Sequence, residues 1–102
     1  MNGGDQATPA SGSQAVDRAL ALLQVTGRAA GRGATLSELI EASGLGKPTV
    51  RRLMLALIRR GLVEQDCATR LYYLGEESYV LGTLATPRHG LLEIAADAAV
   101  RL

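Results

Sequence analysis

The fold class follows from residues 35–61, which read TLSELIEASGLGKPTVRRLMLALIRRG. Thr35 is a good helix N-cap, and Glu38 stands three residues later, where its side chain completes a capping box. Gly44 is a typical C-terminal signal, so a short helix is predicted to end near Ser43. The apolar positions of this helix recur at helical spacing and are Leu36, Leu39 and Ile40.

A further helix is predicted almost at once, over Lys47–Arg60. Pro48 belongs in its first turn, where a missing N–H removes no hydrogen bond, and Gly61 is expected to terminate it. Four apolar side chains at i, i+3, i+4 and i+7 would form its buried face: Val50, Leu53, Met54 and Leu57. Two helices joined by a short turn that contains glycine form a helix-turn-helix, and the second helix is the one sized for the major groove of DNA.

The opposite face of this second helix is cationic. The segment from Lys47 to Arg60 holds five cations and no acid, although the net charge of the whole chain is only +1. Arginine offers a planar fork to guanine or phosphate, so we expect Thr49, Arg51 and Arg52 to contact bases. A charged helix face is often merely solvated, but its position after a glycine turn and before a hairpin favours DNA contact. The predicted DNA-binding residues are Lys47, Pro48, Thr49, Arg51, Arg52, Arg59, Arg60 and, in the hairpin, Arg70.

That hairpin is predicted over residues 62–75. The runs Leu62–Asp66 and Leu71–Leu74 are β-prone, and Gly75 closes the second of them. Arg70 lies at or near the tip, where it would enter the minor groove, touch a phosphate or simply be solvated. Tyr72 is expected in the core. The order of helix, helix, tight turn, helix and hairpin predicts a mainly α fold with a small β-hairpin, the winged helix-turn-helix.

The remaining segments complete the predicted organisation. Residues 1–12 have the composition of a flexible tail, residues 13–86 form the winged domain, and residues 87–102 form a linker or dimerisation helix. Ser13 is expected to cap the first helix and Gly27 to end it. The last helix has an apolar seam, which either pairs with a second copy or packs on its own domain: Leu91, Ile94, Ala95, Ala98 and Leu102.

Other functions find little support in the composition. Cys67 is the only cysteine, which excludes an internal disulfide and leaves no metal-ligand spacing. His89 has no neighbouring acid or nucleophile in the sequence, so we expect neither an enzyme nor a cofactor. The chain has no signal-peptide pattern and no apolar run long enough for a membrane span, so a cytoplasmic protein is expected.

The stretch from Ala15 to Leu102 resembles the N-terminal region of the IclR family of bacterial transcriptional regulators. The matching segments are AVDRAL at 15–20, LSEL at 36–39, GLGKPTVRRL at 44–53, GLVE at 61–64 and YYLG at 72–75. This resemblance implies a homodimeric regulator, a repressor or an activator, that binds a palindromic operator in double-stranded DNA. It also implies a C-terminal domain that binds a small-molecule effector.

Three departures from the family pattern accompany this resemblance. Pro48 stands where the family commonly has serine, and Arg70 stands where the turn of the hairpin commonly has glycine. The effector domain is absent, and the sequence ends at Leu102 without a helix C-cap. We therefore expect a fragment of a longer regulator, with a naturally short protein as the alternative.

A second hypothesis is a winged helix that serves only as a dimerisation module, as at the N-terminus of some methyltransferases. Leu55 favours it, because this large aliphatic side chain falls in the middle of the outward face of the 47–60 helix. The modest net charge favours it as well. The unopposed cations of the same helix argue against it, since the core of a protein interface is normally depleted of charge.

Overall fold

The computed structural model of the chain describes residues 11–89, and this part contains helices and one antiparallel hairpin. The order of elements is the one expected of a winged helix-turn-helix, and the predicted fold class is confirmed. The elements are α1 (Ser11–Ala29), a 3-10 helix (Ala30–Arg32), α2 (Leu36–Ser43), α3 (Lys47–Arg59), β1 (Val63–Gln65), β2 (Tyr72–Leu74), α4 (Glu76–Leu84) and α5 (Thr86–His89). The predicted tail up to residue 10 and the predicted seam from Leu91 to Leu102 lie outside the described residues.

Helix α1 is longer at both ends than the sequence predicted. It begins at Ser11 rather than after a cap at Ser13, and it continues through Gly27 to Ala29. The prediction that Gly27 ends the helix was wrong. A Cβ at this position would lie at ordinary van der Waals distance, 3.4 Å, from Cδ1 of Leu74, so the second strand packs directly against the helix here.

Residues 28–34, between the predicted end of the first helix and Thr35, are largely structured. They contain the end of α1 and the 3-10 helix, and they finish at Ala34, which pairs with Tyr72 as an isolated antiparallel bridge. Both backbone hydrogen bonds of this bridge measure 2.9 Å, and Ala34 itself is buried. The segment before α2 is therefore hydrogen-bonded to the second strand of the hairpin, which comes much later in the chain.

The helix-turn-helix has the local structure that its residues predict. Thr35 Oγ1 accepts a hydrogen bond from the Glu38 backbone N–H at 3.0 Å, and Glu38 Oε1 accepts one from the Thr35 N–H at 2.9 Å. Gly44 ends α2 in the left-handed conformation with φ 72°. Helix α3 has its proline in the first turn and ends at Arg59, one residue before the predicted end.

The core is aliphatic and lies between α1, α2, α3 and the hairpin. The predicted buried face of α3 is confirmed, with Val50, Met54 and Leu57 buried and Leu53 partly buried. Tyr72 is only 4% exposed, as predicted. The buried apolar residues are Leu22, Ala29, Ala34, Leu39, Val50, Met54, Leu57, Val63 and Tyr72.

The hairpin pairs Val63 with Leu74, Glu64 with Tyr73 and Gln65 with Tyr72. Its strands are shorter than the predicted runs. Gly75 closes it at a point where a Cβ would lie 2.3 Å from the Gly61 carbonyl oxygen, so only glycine fits. Helix α4 then packs against β1. Pro87 lies within α5, and the preceding helix α4 ends at Leu84.

Candidate nucleic-acid interface

The outer face of α3 forms an exposed stripe, which we call the α3 stripe. It consists of Pro48, Arg51, Arg52, Leu55 and Arg59, all of them exposed. Spacings of three and four residues place these side chains along one side of the helix, over about 16 Å of its length. Leu55 is 55% exposed in the middle of the stripe. An α-helix with such a face has the dimensions to enter the major groove of B-DNA.

The cations of the α3 stripe have no acidic partner within the described part of the chain. Between residues 11 and 89, the one ion pair is that of Arg32 Nη1 with Glu38 Oε2, at 2.9 Å, and it lies outside the stripe. The guanidinium groups of Arg51 and Arg52 are therefore not neutralised by the domain itself. Their positive potential is available to an external polyanion.

The N-terminus of α3 is open. Its N-cap is Gly46, which has no side chain to accept the first N–H groups, and the first turn contains no acid. Lys47 precedes Pro48 at this end and is exposed. The uncapped N–H groups and the positive end of the helix dipole form a site that suits a phosphate oxygen.

A groove between α1 and α3 adds a residue that the sequence analysis missed. The groove has a volume of about 270 Å³, and Arg18 from α1 lines it together with Thr49 and Arg52 from α3. Arg18 and Thr49 are both half-buried. A signal was present in the sequence, because Arg18 stands one turn before the fully buried Leu22, at the edge of the inward face of α1.

Arg60 lies apart from the first turns of α3. It lines a second groove of about 410 Å³ together with Leu62 of the following turn and Glu77 and Leu81 of α4. Eight residues separate it from Arg52, which corresponds to about 12 Å along the helix. The structure therefore groups Arg51 and Arg52 with the helix N-terminus, and it places Arg60 beside the acidic start of α4.

The tip of the hairpin is held by an aspartate. Asp66 Oδ2 accepts hydrogen bonds from the backbone N–H groups of Ala68, at 3.0 Å, and Thr69, at 2.7 Å, and from the Thr69 hydroxyl at 2.9 Å. The bonds from Thr69, with the Ala68 bond adding less, lower the pKa of Asp66. Arg70 follows this turn and is exposed, with φ 67°.

Metal-binding clusters and membrane-spanning helices are the other features to consider in residues 11–89. That range holds no group of three or more His, Cys, Asp or Glu side chains that could bind a metal ion. It also holds no helix long and apolar enough to cross a membrane. Cys67 is exposed at the tip of the hairpin, and His89 ends α5.

Comparisons with known proteins agree with this geometry. The model of the IclR helix-turn-helix domain matches residues 15–66, which include most of α1, the helix-turn-helix and β1. The HTH-type transcriptional regulator BhcR of Paracoccus denitrificans (strain Pd 1222) is 33% identical over 100 residues, which are 98% of this chain and 35% of BhcR.

Solved structures give the same result. An IclR family transcriptional regulator from Brucella abortus is 28% identical, with a TM-score of 0.64 over 81% of this chain and 31% of that protein. A protein described as an IclR transcriptional regulator from Silicibacter sp. TM1040 is 36% identical, with a TM-score of 0.67 over 81% of this chain and 32% of that protein. The chain spans about a third of the length of each of these relatives.

The relatives are transcriptional regulators, which favours DNA binding over the hypothesis of a pure dimerisation module. The family model covers the helices that build the α3 stripe, so the match applies to the surface described above. The chain belongs to the IclR helix-turn-helix domain family, the DNA-binding domain of IclR-type transcriptional regulators.

Proposed function

We propose that this chain binds a specific operator in double-stranded DNA by placing α3 in the major groove, and that it controls transcription there. The observation that carries the proposal is the α3 stripe, whose arginines are exposed and have no acidic partner among the described residues. A large share of the free energy of DNA binding comes from such cations, which release counterions from the phosphates. Because this activity requires DNA, we propose that the protein acts in the bacterial cytoplasm.

The position of each side chain along α3 suggests its part in recognition. Arg51 and Arg52 lie in the first two turns, from which base contacts usually come. Thr49 faces the groove shared with Arg18, so we assign these two to the DNA backbone or to the base pair at its edge. The remaining cations, Lys47, Arg59 and Arg60, are assigned to phosphates, with Pro48 in van der Waals contact at the helix start.

A homodimer on a palindromic operator is the second part of the proposal. Val16 and Leu20 are 57% and 47% exposed, one turn apart on the outer side of α1, so they form a small apolar patch there. The same side of α1 continues through Leu23 and Gly27 into an apolar groove that also contains Leu81 of α4. A two-fold pair formed here would present two α3 helices to half-sites about 34 Å apart. The predicted seam of residues 91–102 is the second candidate for a contact between two copies.

The experiment is fluorescence anisotropy of the chain on a labelled duplex taken from upstream of its gene, beside a scrambled duplex, over a series of salt concentrations. Tight binding to the first duplex that survives excess competitor DNA is the expected result, with two chains per duplex by sedimentation. Equal, steeply salt-dependent binding to both duplexes would contradict sequence-specific recognition. A folded protein that binds neither duplex would contradict the proposal as a whole.

A further inference from the structure

Arg70 has a backbone conformation that arginine rarely adopts. Its φ is 67°, a positive value of the kind that three glycines, Gly33, Gly44 and Gly61, have elsewhere in the described structure. Glycine takes this conformation without steric cost, whereas the Cβ of any other residue is crowded by the neighbouring carbonyl oxygen. Strain of this kind at an exposed position is a reason to look for a function of the side chain.

The surrounding turn holds this conformation in place. The Arg70 N–H donates to the Asp66 carbonyl at 2.8 Å, and the Arg70 carbonyl accepts from Gln65 Nε2 at 3.0 Å. The next residue is fixed as well, since the Asp66 N–H donates to the Leu71 carbonyl at 2.9 Å. The backbone of Arg70 is thus bound on both sides, and the direction in which its side chain leaves the hairpin is determined by the turn.

The charges of the hairpin leave the guanidinium of Arg70 free. Arg70 is the only cation among residues 62–75, and the nearest acid in sequence, Asp66, uses one carboxylate oxygen for three hydrogen bonds within the turn. No ion pair of Arg70 occurs within the 11–89 range. The residues beside it at the tip, Cys67, Ala68 and Thr69, are small and uncharged, so a narrow groove could admit the tip.

We propose that the hairpin reads the shape of DNA, with Arg70 inserted into the minor groove beside the major groove that α3 occupies. Narrow minor grooves occur at A·T-rich steps and concentrate negative potential, which attracts arginine above all other residues. The operator would therefore carry A·T-rich steps outside the base pairs that α3 contacts. This inference rests on the proposed function, since it places the hairpin on the same operator.

The test is selection of bound sequences from a randomised 30-base-pair duplex library, with the full chain and with Arg70→Gly in parallel. Both proteins should enrich the same central motif, and only the wild type should enrich A·T-rich flanks. On two duplexes that share the motif and differ in flanks, wild type should favour A·T over G·C by roughly fivefold or more, and Arg70→Gly should bind both alike.

Three variants separate the contribution of the guanidinium from that of the backbone. Arg70→Gly should raise the melting temperature, because glycine suits a φ of 67°. Ala30→Gly is the matched control, since Ala30 is the other non-glycine residue of the described structure with a positive φ, 52°. It should also melt higher while keeping the flank preference. Arg70→Lys should keep most of the affinity and lose the preference, because lysine holds its hydration shell more tightly.

Each other outcome overturns the inference in a recognisable way. Equal loss of affinity for both flanks in Arg70→Gly would show a phosphate contact without shape reading. An unchanged A·T preference in Arg70→Gly would mean that a residue other than Arg70 is responsible for it. A common central motif without any flank enrichment would refute the shape reading while the proposed function stands. Failure of the wild type to enrich any sequence would refute both.

Discussion

The two helices of the helix-turn-helix begin in opposite ways. The start of α2 is closed by the protein itself, because Thr35 and Glu38 form a reciprocal capping box. Arg32 then adds two hydrogen bonds to the Glu38 carboxylate, at 2.9 and 3.2 Å. The start of α3 has no such partners. Its N-cap is Gly46, its first turn holds no acid, and its neighbouring charge is the cation Lys47.

This difference separates structural from functional polar groups within a short stretch of chain. A helix start needs an acceptor for its free N–H groups and a negative charge near its dipole. Helix α2 obtains both from Thr35 and Glu38, so its start is complete without a ligand. Helix α3 obtains neither from the domain, and a DNA phosphate would supply both. The same requirement is thus met within the domain at the start of α2, whereas DNA would meet it at the start of α3.

The largest expected effect comes from removing an arginine of the α3 stripe. Arg52→Ala and Arg51→Ala should each raise the Kd for operator DNA about tenfold to a hundredfold, because each removes a guanidinium suited to a bidentate contact. Both residues are exposed, so the melting temperature should change little. Anisotropy titrations and thermal unfolding measure the two quantities.

Arg32→Ala is the matched control, since it removes the same charge from the start of the other helix. Arg32 is already occupied by Glu38, so its loss should leave the Kd nearly unchanged. Equal losses of affinity in Arg32→Ala and Arg52→Ala would mean that only net charge matters, and the distinction between the two helices would fail.

The next effect comes from closing the start of α3 with a carboxylate. Gly46 has φ −72° and ψ 157°, which suit an aspartate N-cap, and a Cβ there would meet only Pro48 Cδ, at 3.8 Å. Gly46→Asp should stabilise the domain by a few tenths of a kcal/mol. It should also raise the Kd for DNA about tenfold, since the carboxylate takes the place of a phosphate.

Gly46→Ser separates capping from charge. Serine caps a helix about as well as aspartate but carries no charge, so its effect on the Kd should be clearly smaller. The melting temperature and the salt dependence of binding should be measured for both variants. If Gly46→Asp bound DNA as tightly as the wild type, the start of α3 would not be a phosphate site.

Local rules account for what the sequence predicted correctly. The capping box of Thr35 and Glu38, the left-handed Gly44 and the proline in the first turn of α3 all depend on residues within one or two turns. The buried face of α3 needs only its own helical period. The helix-turn-helix was accessible from sequence for this reason, and so was the stripe that faces away from the core.

Contacts between distant segments account for what was missed. The local sequence predicts that Gly27 ends α1, but the helix continues through it, and Leu74 of β2 packs against it. The local sequence predicts no regular structure at Ala34, but this residue forms a β-bridge with Tyr72, which comes much later in the chain. Arg18 reads as a surface residue of α1, and only the packing of α1 on α3 brings it to the groove with Thr49. These outcomes depend on tertiary structure, which no local pattern contains.

A smaller effect is expected on stability when the capping box at the start of α2 is broken. Thr35→Ala removes the hydroxyl that accepts the Glu38 N–H at 3.0 Å, and it should lower the free energy of unfolding by about 1 kcal/mol. Urea denaturation measures this change, and the Kd of the folded protein for DNA should not follow it. Thr35→Ser retains the acceptor and should recover most of the stability. A loss of DNA affinity in Thr35→Ala with stability unchanged would reverse the roles assigned to the two helix starts.

The smallest effect is expected on the free energy of unfolding at acidic pH. The Thr35 N–H, followed by Arg32, lowers the pKa of Glu38 in the folded protein from its ordinary value of 4.5. The ionised carboxylate therefore stabilises the fold fully above pH 4.5, and this stabilisation is lost as the pH falls through the lowered value. Glu38→Gln can still accept the Thr35 N–H through its amide oxygen, but it has no charge to lose. Its unfolding free energy, measured from pH 6 to pH 3, should fall less steeply than that of the wild type.

Part of the slope should persist in Glu38→Gln, because the pKa of Asp66 is also lowered by its hydrogen bonds with Thr69. Glu41→Gln, at an exposed carboxylate of the same helix, is the control that removes a charge without touching the capping box. It should follow the wild type down to pH 3. If Glu38→Gln followed the wild type and Glu41→Gln did not, the acid dependence of this domain would come from its general surface charge, and the closed start of α2 would be held by neutral hydrogen bonds alone.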